Sequence, residues 1–577
     1  MFRLFRFLKG YEKESILGPL FKFFEATLEL FVPLAVASLI DVGIGENDFA
    51  HSMKMFFVLC LLGIVGLVFS LTAQYYAAKA AVGFVKKIKQ ALFSHMGTLS
   101  YGEIDQLTTS TMITAMTSDM NQIQSGMNMA LRLLLRSPFV VGGAFLMTWL
   151  IDPQVAKIFG LTILGLILVV FGIIFFTVPL YKSVQEKLGK VLAATRENLR
   201  GVRVVRAFGM EKEEIKSFVQ KQEELTKTQK FVGNISGLLN PLSYTVINIG
   251  VVLLIHKGAL RVEYGVLTQG AVVALYNYMA QILEELVKLA NTIILLTKMI
   301  ASGNRVQSVF ERTSSQSFPE LTEEGKEEGK EYLAFHQVSL TYPKAMEASL
   351  KDISFTAKKG DVIGVIGSTG SGKTSLINML SRFYDPDSGE IYLEGRRLEQ
   401  YSKKELRDKV ALVPQKSVLF SGTIAENLRF ANEGATEEEM WRALEIAQAK
   451  EIVEKKEGKL QAGVSQKGSN FSGGQRQRLC IARALVKKAD ILILDDSFSA
   501  LDYATDLALR KALKEMEEKP LMLLVSQRTT SIKEADKILV LEEGELVGAG
   551  THEQLLQECK IYQEIHASQF KKEVEKE

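Results

Sequence analysis

A glycine-rich segment in the second half of the chain has the residue types and spacing that bind phosphate groups. Residues 367–374 fit the pattern G-x-x-x-x-G-K-[ST], directly after an apolar run (362–366) and before a helical pattern that starts at Ser375. In such a loop backbone N–H groups surround the phosphates, Lys373 reaches the β- and γ-phosphates, and Thr374 offers its hydroxyl to magnesium. The predicted nucleotide-binding residues are Gly367, Ser368, Thr369, Gly370, Ser371, Gly372, Lys373, Thr374 and Ser375.

Two further segments of this half have chemistry that suits a phosphate site. The apolar run 491–494 ends in Asp495. An open parallel sheet places ligands at the carboxyl ends of its strands, so Asp495 is expected to hold part of a magnesium shell. Upstream, the serine and glycines of 472–474 open a helical segment. Because the N-terminus of a helix binds anions through its free N–H groups, this helix start is a second phosphate-binding end.

The elements that precede residue 300 are of a different kind. A helix needs about 20 mainly apolar residues to cross the hydrocarbon core of a bilayer. Six runs meet this length, which is more than buried helices of a large soluble protein explain; they are 17–40, 55–78, 129–151, 155–180, 235–255 and 271–296. The chain is therefore predicted to cross a lipid bilayer six times.

Basic residues indicate which connections between the runs are cytoplasmic. Lys and Arg gather in 79–126 and in 181–234, whereas the connections on the opposite side are short and partly acidic, with Asp152 alone in one of them. Since cytoplasmic loops carry the excess of Lys and Arg, both long connections and both chain ends are expected inside. Lys257 and Arg261, after the fifth run, are an exception that the sequence does not explain.

The two long inside connections have helical patterns of their own. We expect membrane helices to continue into the cytoplasm there, with a short helix at 110–120 and a break framed by Gly201 and Gly209. The first residues, 1–15, alternate basic and apolar side chains and lack a small-residue cleavage site. This pattern favours a helix lying in the membrane interface over a signal peptide.

A few charged residues lie inside the apolar runs. Glu25 and Glu29 are four residues apart, and Arg132 and Arg136 repeat that spacing, so each pair is expected on one face of a helix. A charge at the bilayer centre costs at least about 2.5 kcal/mol, so such groups face a cavity or a partner. A substrate cavity is one interpretation, and side chains that snorkel or pair with each other are the alternative. Weaker candidates in the sixth run are Glu284, Glu285 and Lys288.

The composition of the chain argues against several other kinds of site and partner. The net charge of +3 is too small for a strongly nucleic-acid-binding surface, so no nucleic-acid partner is expected. The three cysteines lack the spacing of a disulfide framework or a zinc site; they are Cys60, Cys480 and Cys559. Residues 313–330 are rich in Ser, Glu, Lys and Gly, which predicts a flexible linker between a membrane domain (1–312) and a soluble domain (331–577).

The motifs, in this order, resemble those of ATP-binding cassette (ABC) half-transporters of the exporter type, over nearly the whole chain. The resemblance implies an all-α six-helix transmembrane domain (type I/type IV ABC exporter fold), followed by an α/β P-loop ABC nucleotide-binding domain. It also implies ATP and Mg²⁺ as cofactors, with magnesium bound through Thr374, Gln415 and Asp495. Other implied roles are adenine stacking by Tyr342, a signature motif for a partner's ATP at Phe471, Ser472, Gly473, Gly474 and Gln475, and a D-loop at Ser499, Ala500, Leu501 and Asp502.

Two positions depart from the family pattern on the catalytic side. The acid after Asp495 is Asp496 where the family has Glu, and the switch position holds Gln527 where the family usually has His. Asp is shorter by one methylene, about 1.5 Å, and Gln cannot shuttle a proton as His can. We therefore expect ATP to bind at this site and to be hydrolysed slowly, while the signature motif is intact.

The family binds ATP between two cassettes, so a dimer is implied. The asymmetry resembles the impaired subunit of heterodimeric bacterial exporters, whose partner has the catalytic Glu and the switch His. We expect a multi-pass subunit of the bacterial cytoplasmic membrane that moves drugs or other small amphiphilic compounds outward. The alternatives are a homodimer that exports lipids or peptides with slow hydrolysis, and a membrane protein in which ATP binding regulates a partner without transport.

Overall fold

The chain folds into two compact units. The structure, a computed structural model, describes residues 1–320, 331–343 and 345–574. One unit comprises Met1–Gly97 and Thr109–Arg312, and the other comprises Thr98–Thr108 and Thr313–Glu577. Of the predicted linker, residues 313–320 contain neither helix nor strand, and residues 321–330 lie outside the described residues.

Long helices make up the first unit, whereas the short helix Tyr101–Leu107 belongs to the second. The α-helices up to residue 310 are α1 (Glu12–Ser38), α2 (Phe49–Thr98), α3 (Tyr101–Leu107), α4 (Thr109–Thr114), α5 (Met120–Met129), α6 (Arg136–Ile151), α7 (Pro153–Ala207), α8 (Glu211–Gly237), α9 (Leu239–Glu263) and α10 (Gln269–Phe310). A 3-10 helix (Phe2–Leu8) and π-helices at Leu39–Ile44, Ala115–Asp119 and Ala130–Leu134 adjoin them.

Six helical segments of the described residues are long and apolar enough to cross a membrane, which confirms the predicted six-helix transmembrane domain. They are Glu12–Ile44, Phe49–Thr98, Thr109–Ile151, Pro153–Ala207, Glu211–Glu263 and Gln269–Phe310. At 50 and 55 residues, α2 and α7 are roughly 75 and 80 Å long. Both are much longer than the hydrocarbon core, about 30 Å thick, and so continue beyond it.

Helix α10 lies in the interior of the first unit. Its side chains Ala274, Tyr278 and Ile282 are fully buried, and they pack with residues of the neighbouring helices such as Ala26 and Phe159. Lipid tails are as apolar as these side chains, so close packing and interhelical hydrogen bonds hold such helices together. The Tyr278 hydroxyl supplies one of these bonds by donating to the carbonyl of Leu30 (2.5 Å).

Two predicted details of the long connections are wrong. The short helix is α3 (Tyr101–Leu107), and it ends where Thr108 takes a φ of +60°, a conformation that the sequence does not announce with a glycine. Residues 110–120 instead begin the next long helical segment. Gly201 is not a break, because α7 runs through it to Ala207; the chain turns at Gly209, whose φ is +64°.

The N-terminal segment packs against helix α10. It forms a 3-10 helix in which Leu4 is 1 % exposed. The amino group of Met1 donates to Asn304 Oδ1 (2.8 Å), and a Cβ at Gly303 would lie 2.0 Å from the Met1 sulfur. The first residues thus contact α10, and their location in the membrane interface stays a prediction.

The second unit is built on sheets, which confirms the predicted α/β domain. Its strands are β1 (Leu333–Leu340), β2 (Leu350–Ala357), β3 (Val362–Gly367), β4 (Ser388–Leu393), β5 (Arg396–Arg397), β6 (Val410–Val413), β7 (Gly422–Thr423), β8 (Gly463–Val464), β9 (Ile491–Asp495), β10 (Leu521–Val525), β11 (Lys537–Glu542) and β12 (Glu545–Gly550). One sheet has the order β12-β11-β3-β10-β9-β6, with β12 antiparallel to β11 and the other pairs parallel. An antiparallel sheet has the order β2-β1-β4-β5, and β7 pairs with β8.

The strand order brings three loops to one edge of the parallel sheet. Strands β3, β9 and β10 are almost uninterrupted apolar runs, as expected for strands covered on both faces. Since β10 pairs with both β3 and β9, the carboxyl ends of these three strands are neighbours. The glycine-rich loop, the acidic pair and the switch position therefore start from adjacent strands.

Helices surround these sheets, and several begin at a local sequence signal. They are α11 (Lys373–Leu380), α12 (Lys403–Lys409), α13 (Ile424–Arg429), α14 (Glu437–Ile446), α15 (Lys450–Glu454), α16 (Gly473–Val486), α17 (Tyr503–Lys514), α18 (Thr529–Ile532), α19 (His552–Glu558) and α20 (Lys560–Val574). Capping boxes start α13, α14, α16 and α19. Each box satisfies two backbone N–H groups that the helix itself leaves unpaired.

Candidate functional site

The loop after β3 wraps around the amino group of its own lysine. Lys373 Nζ donates to the carbonyl oxygens of Gly367 (2.9 Å) and Ser368 (2.6 Å). Gly372 precedes α11 with a φ of +98°, and a Cβ there would lie 2.7 Å from the carbonyl oxygen of Ser349. Only glycine tolerates both conditions. The loop thereby places Lys373 at the start of α11, where free N–H groups favour an anion.

Two acidic residues follow at the carboxyl end of β9. Asp495 is 6 % exposed. Burial, reinforced by the charge of Asp496, raises the pKa of Asp495 to about 6, although Lys373 opposes the shift. Asp496 is half-buried with a φ of +46°, and Gln415 Nε2 makes a long hydrogen bond to its carboxylate (3.5 Å). A bound cation would offset both the burial of this carboxylate and the charge of its acidic neighbour.

These groups line one cavity of about 220 Å³. The predicted site residues in its wall are Thr369, Gly370, Gly372, Lys373, Thr374, Ser375, Gln415, Asp495, Asp496 and Gln527. Sequence reasoning missed Ser349, Val525 and Ser526, which complete the wall. They carry no motif of their own: Ser349 precedes β2, while Val525 and Ser526 follow from the pairing of β10 with β3 and β9.

The oxygen atoms of this wall suit a magnesium ion. Thr374 contributes a hydroxyl, Asp495 a carboxylate and Gln415 an amide oxygen. Mg²⁺ is bound through oxygen ligands, typically one or two carboxylates together with water and substrate phosphates. Within the described residues, no group of three or more His, Cys, Asp and Glu residues could hold a metal ion. With one carboxylate, one amide and one hydroxyl, the donor set of this wall fits magnesium that is bound together with a nucleotide.

Tyr342, which was expected to stack on adenine, lies outside the lining of this cavity. Its hydroxyl accepts a hydrogen bond from Asn378 Nδ2 (3.0 Å). Its half-buried ring meets Tyr384 edge-on, with the ring centroids 4.9 Å apart. Adenine stacking by Tyr342 stays a prediction.

The signature residues start α16, on a different element from the glycine-rich loop. The hydroxyl of Ser472 accepts from the N–H of Gln475 (3.3 Å), and Gln475 Oε1 accepts from the N–H of Ser472 (3.0 Å). A Cβ at the exposed Gly473 would meet nothing within 4 Å, whereas one at Gly474 would lie 2.9 Å from the carbonyl oxygen of Ala500. The helix start is therefore rigidly capped, in close contact with the D-loop, and open to solvent at Gly473.

The D-loop connects the acidic pair to α17. Ser499 Oγ donates to the carbonyl oxygen of Asp496 (2.9 Å). Asp502 caps α17 by accepting from the N–H of Thr505 (2.9 Å). These hydrogen bonds attach one end of the D-loop to Asp496 and the other end to α17.

Charged residues of the membrane runs form ion pairs across three helices. Arg136 of α6 is 7 % exposed and pairs with Glu29 of α1 (2.5 Å) and with Glu285 of α10. The expected shared face of Arg132 and Arg136 assumes a regular α-helix, whereas Ala130–Leu134 is a π-helix. Among the described residues, Arg136 alone of the two joins this network, so the four-residue spacing does not give the arginines a common ion-pair partner.

The acidic pair of α1 lines a separate groove of about 560 Å³, whose other wall is α2. Glu25 and Glu29 both belong to its lining, while Arg132 and Arg136 do not. Glu25 is paired with Lys22 (2.5 Å). Of the four residues predicted for a substrate cavity, the structure thus brings only the two acids to one groove.

One charged residue that the sequence left unexplained has a partner. Arg261, at the end of α9, pairs with Asp152 in the short connection before α7. Asp152 is 1 % exposed and also caps α7, accepting from the N–H groups of Gln154 (2.7 Å) and Val155 (3.1 Å). Arg261 therefore neutralises a buried carboxylate, which accounts for a cation on the side with few basic residues.

Known families match both units. Residues 15–286 match the family model of the ABC transporter transmembrane region, and residues 350–499 match the ABC transporter model. YfiB of Bacillus subtilis (strain 168), an uncharacterized ABC transporter ATP-binding protein, is 32% identical over 567 residues, which cover 98% of each chain. The ATP-dependent lipid A-core flippase of Aliivibrio fischeri is 30% identical over 544 residues, covering 92% of this chain and 91% of the flippase.

A solved structure has the same fold along almost the whole chain. It is that of a bacterial Atm1-family ABC exporter with ATP bound, which superposes with a TM-score of 0.81 at 22% identity and covers 97% of this chain and 99% of its own. The six apolar helices and the α/β unit with its glycine-rich loop agree with these matches. The chain therefore belongs to the ABC transporter family, as a multi-pass membrane protein with the exporter fold and an ABC ATP-binding domain.

Proposed function

We propose that this chain is one half of a heterodimeric ABC exporter that moves drugs or other small amphiphilic compounds out of a bacterial cell. Its own site binds ATP with Mg²⁺ and hydrolyses it slowly. Its signature motif completes the site of a partner half-transporter, which has Glu after the first acid and His at the switch position. Both chain ends lie on the cytoplasmic side.

One observation carries the proposal: both departures from the family pattern face the same cavity as Lys373 and Asp495. Asp496 and Gln527 line its wall, so both act on the same nucleotide. The shorter side chain of Asp496 retracts the carboxylate by about 1.5 Å, and a misplacement of that order can cost about 100-fold in rate. Gln527 can donate a hydrogen bond but cannot transfer a proton as His does.

The state of the signature motif supports the asymmetric assignment. Ser472 and Gln475 form a complete capping box at the start of α16, and Gly473 leaves the helix start unobstructed. A helix start of this kind binds phosphate through its N–H groups. This chain thus contributes an intact half-site to the partner's ATP while its own hydrolytic groups are altered.

The groove between α1 and α2 supports an amphiphilic substrate. Its wall combines the carboxylates of Glu25 and Glu29 with apolar side chains such as Leu28, Val32 and Leu59. A compound with a polar group and an apolar body matches both kinds of surface. The groove is the candidate location at which substrate binding is to be tested by mutation.

The deciding experiment compares the ATPase of the purified chain with that of the chain assembled with a half-transporter carrying Glu and His at the two positions. We expect a low rate for the single chain, a high rate for the assembly, and transport into inverted vesicles by the assembly alone. Rapid hydrolysis by the single chain would favour the homodimer. Nucleotide-dependent conformational change without transport in either form would favour a regulatory membrane protein.

Replacing Lys373 by Ala is expected to weaken ATP binding at this site about 10- to 100-fold, since hydrogen bonds from a charged group contribute about 1.5–3 kcal/mol. ATPase of the heterodimer should fall only partly, because hydrolysis takes place at the partner's site. The matched control is the equivalent lysine of the partner, whose loss should abolish turnover. Equal losses from the two substitutions, measured as ATPase in the same lipid nanodiscs, would contradict the asymmetry.

A further inference from the structure

The C-terminal helix α20 contacts the backbone that carries the switch residue. Gln569 Nε2 donates to the carbonyl oxygen of Gln527 (2.8 Å). Gln569 Oε1 accepts from the N–H of Thr529 (2.9 Å) and from its hydroxyl (3.0 Å). One side-chain amide therefore bridges the backbone on both sides of Arg528, directly after β10.

The contact satisfies a buried backbone group that has no local partner. Thr529 is 1 % exposed and is the first residue of α18, and no side chain caps that helix at Arg528. The first N–H groups of a helix have no partner within the helix, so a buried one needs an acceptor from elsewhere. Gln569 supplies that acceptor from 40 residues away. His566 Nδ1, one turn earlier on α20, lies 3.2 Å from the Thr529 hydroxyl.

The side-chain amide of Gln569 is suited to bridging these two backbone groups. Its planar group carries a donor and an acceptor side by side, and here the donor meets the carbonyl of Gln527 while the acceptor meets Thr529. Leu has neither group, and Glu at neutral pH has only acceptors. Glu would thus retain the bonds from Thr529 and place a carboxylate against the carbonyl of Gln527.

We propose that Gln569 is a positioning residue for the nucleotide site: it holds the backbone of Gln527 so that the switch side chain faces the cavity. Gln569 does not line the cavity and acts through Gln527. The inference rests on the proposed function in one respect, namely that Gln527 contacts a nucleotide that stays bound. It adds that the retention of this nucleotide depends on the C-terminal helix.

The test measures the release of a fluorescent ATP analogue, in the presence of Mg²⁺, from the assembled full-length heterodimer whose partner lysine of the phosphate loop is replaced by Ala. Only this chain's site then binds tightly. Gln569→Leu is expected to speed release roughly 5- to 10-fold, since it removes a hydrogen bond and leaves a buried N–H unpaired. At pH 8 the release rate of Gln569→Glu should lie between the rates of Gln569→Leu and the wild type.

The release rate of Gln569→Glu should depend on pH in a way that a general packing defect would not produce. Acidification protonates its carboxylate, which then donates to the carbonyl of Gln527 as the amide does. Release from Gln569→Glu, divided by the wild-type rate at each pH, should therefore approach one as pH falls. The same ratio for Gln569→Leu should stay constant.

The control is Gln563→Leu on the same helix, whose amide donates to the carbonyl oxygens of Leu556 (2.8 Å) and Gln557 (3.3 Å), away from the switch. Its release rate should match the wild type. Wild-type release from both Gln569 variants would overturn the proposal, and so would equal acceleration by Gln563→Leu. If Gln569→Leu does not fold, the pH dependence of Gln569→Glu decides. Rapid ATPase of the single chain would instead contradict the proposed function, and that measurement is independent of these rates.

Discussion

Replacing Asp496 by Glu together with Gln527 by His is expected to turn the nucleotide site of this chain into a hydrolytic one. Glu restores the missing methylene and brings a carboxylate to the distance at which it can align water. His adds a side chain that can carry and transfer a proton. Alignment is worth about 100-fold, and a positioned acid or base contributes about 10²- to 10⁴-fold. The gain in hydrolysis at this site should be on the order of 100-fold or more.

In this measurement the partner's site must not hydrolyse ATP. In the heterodimer whose partner has its catalytic Glu replaced by Gln, ATPase should be near background for the wild-type chain, intermediate for each single substitution and highest for the double. Asp496→Asn with Gln527→His is the control, since it keeps the His but has no base. A double variant that binds ATP normally and stays at background would contradict the assignment of Asp496 and Gln527 as the limiting groups.

The backbone at position 496 adds a stability effect that must be separated from catalysis. Asp496 has a φ of +46°, a conformation that Asp adopts more readily than Glu. Asp496→Glu should therefore lower the free energy of unfolding by roughly 1 kcal/mol. Measuring the melting temperature of each variant shows whether a modest ATPase gain reflects poor folding or poor chemistry.

The nucleotide site could be predicted from sequence where its chemistry is local. The glycine-rich loop, its lysine and the capping box at Ser472 each lie within a few residues, so spacing alone fixes their geometry. Ser349, Ser526 and Gln569 reach the same region through strand pairing and through the packing of α20. No local pattern records those long-range contacts. Spacing was therefore enough to predict the glycine-rich loop and the acidic pair as parts of one cavity wall, and it was not enough to predict the long-range contacts around Gln527.

The membrane unit shows the same limit. Hydropathy was sufficient for the six spans, because each span needs a run of about 20 mainly apolar residues, which is a local property of the sequence. The i,i+4 spacing of charged residues could not predict the ion pairs, since the partners of Arg136 and Arg261 lie on other elements. In the second unit, the short helix α3 was also misplaced, because Thr108 adopts a positive φ that no glycine signals.

The ion pairs of Arg136 have consequences for folding as well as for transport. Glu285 is 3 % exposed and accepts from Ser137 Oγ (2.8 Å) and Lys288 Nζ (3.1 Å) in addition to Arg136. Breaking a buried ion pair on one side leaves an uncompensated charge, which costs far more than the pair itself contributes. Arg136 connects α1, α6 and α10 at one point, so its replacement should lower the stability of the whole first unit.

Replacing Arg136 by Met is therefore expected to lower the free energy of unfolding by about 3–5 kcal/mol, because Glu285 stays buried while its main counter-charge is removed. Thermal or SDS-induced unfolding of the purified chain in one detergent measures this loss. The double variant Arg136→Met with Glu285→Met removes both buried charges and should recover most of the stability. A double variant as unstable as the single one would show that the contribution of Arg136 is packing and not charge compensation.

Arg132→Met is the matched control for this experiment. It makes the same chemical change four residues earlier, at a half-buried arginine that forms no ion pair among the described residues. Its effect on the free energy of unfolding should stay below about 1 kcal/mol, as for most substitutions outside buried networks. A loss as large as that of Arg136→Met would mean that the π-helical turn Ala130–Leu134, and not the ion pair, limits the stability of this region. Because the two arginines share one segment, the comparison separates the charge at Arg136 from the geometry of the helix that carries it.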